Sequence, residues 1–265
     1  MLKTPTRKDL DTKLQFDRWW FMVLAVVVMI ILLVFLKPDP YQRILLFVRT
    51  GIWTTISITI ISFLLVMVFG LIVALGRLSK VTLIKGIATV YVEVIRGIPM
   101  LVQLIFWYFA FPSLVQSLGD WFNIQSFRDY NANALSMAIL GLTFGYSAYM
   151  SEVYRAGIQS ISRGQMEAAR SMGMTYFQAM WYVILPQAVR VILPPVGNEF
   201  ITLLKDSSLV SVVAVADMTR RGREFMAANF IPIQTWVMIA LLYLVMTLLA
   251  SRLVTWMERK FKMEK

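Results

Sequence analysis

Long apolar runs alternate with short polar intervals along this chain, and their spacing predicts membrane-crossing helices. The first run, Trp19–Leu36, has close to the ~20 residues a helix needs to cross a bilayer. It follows a polar basic segment, residues 1–18, and precedes Lys37-Pro38-Asp39-Pro40. That sequence is no small-residue cleavage site and the apolar core is long, so an uncleaved helix is expected in place of a signal peptide. A second span is predicted over 51–75, closed by the basic turn Gly76-Arg77-Leu78-Ser79-Lys80. Residues 81–95 are apolar apart from Lys85 and Glu93 and read as an interfacial segment, because Gly97-Ile98-Pro99 interrupts the helix. The third span, 99–111, is short and borrows length from the helix before it. A polar loop is expected over 112–131.

The fourth span, 133–154, spaces Gly141, Gly145, Ser147 and Ala148 as a small-residue face for close helix packing. A hydrophilic stretch covers 155–182. The fifth span, 183–204, is the least apolar and is expected to be broken by Pro186, Pro194, Pro195 and Gly197. Residues 209–216 are apolar but too short to cross, so they read as re-entrant or buried. The sixth span, 232–256, runs into a basic tail. Lys and Arg divide 18 to 8 between the two sides if both termini are cytoplasmic. The excess of cations on the inner side favours that orientation and about six crossings. Arg220, Arg221 and Arg223 then form a basic cluster outside.

Composition supports an all-α membrane protein: 58% of the 265 residues are hydrophobic, against about 45–50% in soluble domains. The formal charge of +11 belongs with basic loops on an anionic leaflet, and no nucleic-acid partner is expected. Cysteine and histidine are both absent. That removes disulfides, thiolate or imidazole metal sites and every Ser-His or Cys-His nucleophile, so no cofactor or metal is expected. No phosphate-binding loop of the G-x-x-x-x-G-K-[ST] type occurs either. Any ATP that drives this protein is hydrolysed elsewhere.

One polar stretch is locally informative. Gly164-Gln165-Met166-Glu167-Ala168-Ala169-Arg170-Ser171-Met172-Gly173 contains good helix formers ending in a glycine suited to a left-handed stop. Thr175-Tyr176-Phe177-Gln178 has the form of a capping box, so a second helix starts at once. The expected product is a short helix, flat where the alanines lie, that can enter a cleft on a partner. An ordinary amphipathic loop helix reads the same way locally. Glu167-Ala168-Ala169, Gly173 and Val183-Ile184-Leu185-Pro186 together resemble the E-A-A-x3-G-x9-I-x-L-P loop of bacterial ABC-importer permeases, with Val183 at one isoleucine position. Further segments are similar to the polar amino acid branch of that family, the histidine, glutamine and arginine type. They are Gly51 with Thr55; Glu93-Val94-Ile95-Arg96-Gly97-Ile98-Pro99 through Gln103; Gly197-Asn198-Glu199-Phe200; and Leu204-Lys205-Asp206-Ser207-Ser208-Leu209. The likeness covers roughly residues 51–256, omitting the first helix and the stretch 112–131.

The resemblance implies the fold of a type I ABC importer permease, a five-helix core with an extra N-terminal helix, in a bacterial inner membrane. Residues 1–45 would hold the basic N-terminus and extra helix, and 46–265 the permease domain with its coupling loop at about 155–182. It also implies partners: two ATP-binding cassette subunits, a second permease subunit (identical or homologous), an extracytoplasmic solute-binding protein, an amino-acid substrate and membrane lipid. Gly164, Gln165, Glu167, Ala168, Ala169 and Gly173 would couple to the ATPase.

Ionisable groups inside spans point to a substrate site. Glu199 and Asp206, seven residues apart, share a face if the helix continues. They could meet an ammonium, while Ser207 and Ser208 could meet a carboxylate. The alternative pairs the acids with Arg190 or Lys205 in a dimer contact. Gln103 is a weaker binding candidate, and as readily interhelical glue. Glu93 with Arg96 reads as a structural pair, and Glu152 with Arg155 as a brace for the loop. An ion-gradient-driven carrier or channel would also use broken helices and membrane carboxylates, but has no use for the 167–186 signature. An enzyme using the two acids is disfavoured by the missing histidine and cysteine.

Overall fold

Proline and glycine breaks, with polar caps, divide the chain into helices joined by short turns. The computed structural model describes residues 18–261. The basic segment before Arg18, and Lys262 and Lys265 of the tail, lie outside the described residues. The helices are α1 (Arg18–Leu36), α2 (Pro38–Leu78), α3 (Thr82–Gly97), α4 (Met100–Phe122), α5 (Gln125–Arg128), α6 (Ala134–Gln159), α7 (Arg163–Ser171), α8 (Tyr176–Val212), α9 (Met218–Asn229) and α10 (Pro232–Phe261). Five of them, α1, α2, α4, α8 and α10, are long and apolar enough to cross a membrane by length and composition. α6, the expected fourth span, has 26 residues and a different reason for its milder hydropathy. It lies in the middle of the molecule with Gly141, Gly145, Ser147, Ala148 and Ser151 buried, so protein surrounds the face that other spans expose.

Two apolar cores organise the packing. The first joins Ile58 of α2, Leu104 of α4, Leu142 and Met150 of α6, and Leu203 and Val210 of α8. The second joins Ile44 and Val48 of α2, Met218 and Phe225 of α9, and Met238 of α10. Ile30 and Val34 of α1 pack on this second core, which is how the extra helix is held. Val210, Val213 and Val215 of the 209–216 stretch are buried in the first core.

α2 links the two cores and is much longer than its expected span. Its 41 residues make roughly 60 Å at 1.5 Å per residue, about twice a bilayer's apolar thickness. The chain bends at Asp39, whose φ of −96° and ψ of 114° are not helical, and the helix then continues to Leu78. Gly51 is where α2 meets α9: a Cβ there would stand 2.8 Å from the Asp217 carbonyl oxygen and the Met218 Cα. One turn on, the Thr55 hydroxyl accepts the Met218 N–H at 3.1 Å. Asp217 is fully buried and caps α9 by accepting the N–H groups of Thr219 and Arg220 at 3.0 and 2.9 Å. Burial pushes its carboxyl above the usual range, against the lowering effect of those donors.

Three expectations change. The stretch 112–131 is largely helical, because α4 runs on to Phe122 and α5 follows. Pro194 and Pro195 lie inside a continuous helix, Leu185–Asp206; a proline's φ is already helical, and packed neighbours can compensate the lost bond. The irregular backbone falls to either side, as a π turn over Met180–Ile184 and a 3-10 turn over Ser207–Val212. Glu93 and Arg96 form no ion pair, since Arg96 instead lies 5.3 Å over the Tyr149 ring. The basic cluster is knit into α9, where Arg220 and Arg221 both bind Glu224, at 3.0 and 3.1 Å.

Candidate functional site

Two constellations carry the candidate chemistry, one at the polar loop and one along α8. The loop begins with Ser162, whose hydroxyl accepts the Gly164 N–H at 3.3 Å to cap α7. α7 ends in a Schellman motif: the Gly173 N–H reaches the Arg170 carbonyl and the Met174 N–H the Ala169 carbonyl, at 3.0 and 3.2 Å. Gly173 has φ +87° there, a conformation costly for other residues. Thr175 and Gln178 complete the capping box reciprocally. Of the paired alanines, Ala169 is buried and Ala168 exposed, and Gly164, Gln165, Glu167 and Gly173 are exposed with it. The flat outer side of α7 is therefore open, and its inner side rests on the start of α8. Gln187 of α8 reinforces this by donating to the Val183 carbonyl at 2.8 Å and to Gln165 at 3.4 Å. Glu152 at the end of α6 is held between Arg77 of α2 and Arg155 of its own helix.

The second constellation lies where α8 passes α6. Helix Leu185–Asp206 is continuous, so Glu199 and Asp206 fall two turns apart on one face, about 10 Å along the axis. Asp206 accepts the Tyr146 hydroxyl at 2.7 Å. Glu199 interacts electrostatically with Arg96 and Asp206, and Tyr146 with both acids and Tyr149. Among the described residues neither acid forms an ion pair with Arg190 or Lys205. The group is therefore two half-buried carboxylates, the buried Tyr146 and half-buried Tyr149 phenols and the exposed Arg96 guanidinium, able to exchange partners with a charged ligand. Reading the sequence alone missed Arg96 and the tyrosines. Three-residue spacing of Tyr146 and Tyr149 on the small-residue helix was the available signal.

The other candidates are placed differently. Gln103 is buried and donates to the carbonyls of Ile95 and Ile98, both at 2.8 Å, stitching α4 to the end of α3 across the Gly-x-Pro break. Ser207 is buried and donates to the Leu204 carbonyl at 2.8 Å. Ser208 is half-buried in the same 3-10 turn. An apolar cavity of about 150 Å³ beside Gly197, between Phe63, Val196, Phe200 and Val254, has none of these polar groups in its walls.

The family described as binding-protein-dependent transport system inner membrane component matches residues 66–263. This chain belongs to that family. It is thus a multi-pass inner-membrane permease subunit of an ABC importer, and not itself an enzyme; the ATPase is a separate subunit. The glutamine transport system permease protein GlnP of Escherichia coli (strain K12) is 35% identical over 196 residues, 74% of this chain and 84% of that protein. The arginine transport system permease protein ArgU of Corynebacterium glutamicum is 37% identical over 212 residues, 79% of this chain and 67% of that protein. Among solved structures, an amino acid ABC transporter crystallised with histidines superposes with a TM-score of 0.72 at 38% identity, covering 85% of this chain and 98% of that one. The family match begins inside α2, so α1 lies outside it.

Proposed function

We propose that this permease forms the pathway of an importer for amino acids, with polar or cationic side chains favoured over acidic ones. The observation that carries the reading is the polar group on α8. Glu199 and Asp206 offer two negative charges to a substrate ammonium, and Arg96 offers one positive charge to its carboxylate. The excess of one carboxylate selects against an acidic side chain and for a cationic or neutral polar one. That relatives transport glutamine and arginine, and that a similar transporter was crystallised with histidines, supports the same class.

Two ATP-binding cassette subunits would each grip one α7, and a second permease subunit would complete the pathway opposite an extracytoplasmic solute-binding protein. The contact of α7 with the start of α8 supplies a rigid link from the gripped helix to the carboxylates. Closure of the ATPases would then tilt α8 between inward-open and outward-open arrangements. The distribution of Lys and Arg supports a cytoplasmic position for both termini.

Uptake by the complete complex in liposomes, with labelled arginine, glutamine and glutamate, tests the assignment. Arginine or glutamine should enter with ATP at about tenfold higher apparent affinity than glutamate, a difference of about 1.4 kcal/mol. ATP-dependent uptake of none of the three would remove the amino-acid assignment, and a preference for glutamate would reverse the charge argument.

A further inference from the structure

The C-terminal half of α4 and the short α5 form a hairpin that the permease function does not use. Gly119 of α4 packs against the backbone of Phe127 and Arg128, where an added Cβ would lie 2.5 Å from the Arg128 nitrogen. Arg128 also binds Asp120 at 3.0 Å, and Gln116 donates to the Tyr130 carbonyl at 2.9 Å. The hairpin is therefore well knit, yet it leaves Leu114, Leu118, Trp121 and Phe122 exposed, Trp121 at 87%.

Those four residues are not a random scatter. In the first half of α4, Val102, Ile105, Phe106 and Phe109 are the exposed apolar positions, at the 3–4-residue spacing of one helix face. Continued as a regular helix, that face would next present Ser113, Gln116, Ser117 and Asp120. The π turn over Phe106–Ala110 intervenes. A π turn absorbs one extra residue and so shifts the register by about 100°. Leu114, Leu118 and Trp121 thereby fall in line with Val102 and Phe109, with Phe122 beside them and Ser117 at the edge, while Ser113, Gln116 and Asp120 rotate away. One uninterrupted apolar stripe results along a helix that is itself apolar enough to cross a membrane. Its far end carries Trp121 and Phe122, and tryptophan is the side chain most suited to the headgroup boundary.

We infer that residues 111–122 carry α4 into the outer headgroup layer as an interfacial anchor, with Leu114, Leu118, Trp121 and Phe122 seated among the lipids at the outer face. The occupant proposed for this stripe is lipid, in continuity with the apolar face of the crossing half of α4. Ser113, Gln116 and Asp120 face water on the other side, and the hairpin turn keeps the helix from rotating.

Absence of native cysteine makes a spin-label scan direct. Single variants Leu114→Cys, Leu118→Cys and Trp121→Cys, with Ser113→Cys, Gln116→Cys and Asp120→Cys, are labelled in the complete complex in liposomes of zwitterionic and anionic phospholipid. Collision with oxygen reports lipid and collision with a nickel chelate reports water; ATPase activity verifies assembly of each variant. The first three positions should show an oxygen-to-nickel collision ratio several-fold above the second three. Equal, nickel-accessible values at all six would place the hairpin in water and overturn the anchor. Shielding of positions 114, 118 and 121 from both reagents would overturn it too, by showing that a protein subunit covers the stripe.

Discussion

At the scale of single residues, the proposed substrate site rests on charge placed among the helices. Among the described residues Glu199 forms no ion pair, and it interacts with Arg96, Asp206 and the Tyr146 phenol. Glu199→Gln keeps the shape and loses the charge. Hydrogen bonds to a charged group are worth roughly 1.5–3 kcal/mol against about 0.5–1.5 for neutral ones. Apparent affinity for arginine should therefore fall about tenfold in uptake assays, with the subunits still together in gel filtration. Unchanged uptake would take Glu199 out of the pathway, and a dissociated complex would assign it to the dimer contact. The acids themselves were legible as ionisable residues in an apolar span. Arg96 was not, because its partner was sought three residues away on its own helix and is supplied by another.

At the scale of elements, α7 shows how far local chemistry reaches. Its cap at Ser162, its Schellman end at Gly173 and the capping box at Thr175 all join residues within five positions of one another. That is why this helix was readable before any tertiary contact was known. Its outer face is bare, so Ala168→Asp should leave the fold intact and block close docking. Gly173→Val forces a branched side chain into φ +87°, at roughly 1–2 kcal/mol, and misdirects the bend into α8. Both variants should insert normally and lose substrate-stimulated ATPase activity in the reconstituted complex. Stimulation equal to wild type in both would disconnect α7 from the ATPase. The π turns, by contrast, carried no sequence signal: an extra residue in a helical run leaves the apolar composition unchanged and alters only which face the next residues occupy.

At the scale of the whole molecule, the proposed orientation rests on charge, and the chain's two sides can be probed separately. Ser126 of α5 and Ser171 at the end of α7 are both exposed, so burial does not limit labelling. Ser126→Cys should react with an impermeant maleimide added outside intact cells, and Ser171→Cys only after permeabilisation. The reverse pattern would invert the topology and remove the docking argument with it. The same architecture explains α1 without reference to transport. Ile30 and Val34 cover the second core formed by α2, α9 and α10, a mechanical seat beside the permease domain.

Contiguous stretches of chain suffice to show a membrane protein, to locate most of its helices, and to make one loop helix resemble that of an importer. Each of these rests on composition, on hydropathy over a window, or on caps a few residues apart, all properties of contiguous chain. Only the tertiary structure decided which polar groups meet. Tyr146 binds Asp206 from 60 residues away, and Thr55 caps the approach of Met218 from 163 residues away. The Gly51 and Thr55 pair was visible in the sequence as a resemblance, but its cause is the contact of two backbones. Such contacts depend on how helices cross and on the register that each π turn resets, and neither quantity is encoded in any one segment of the chain.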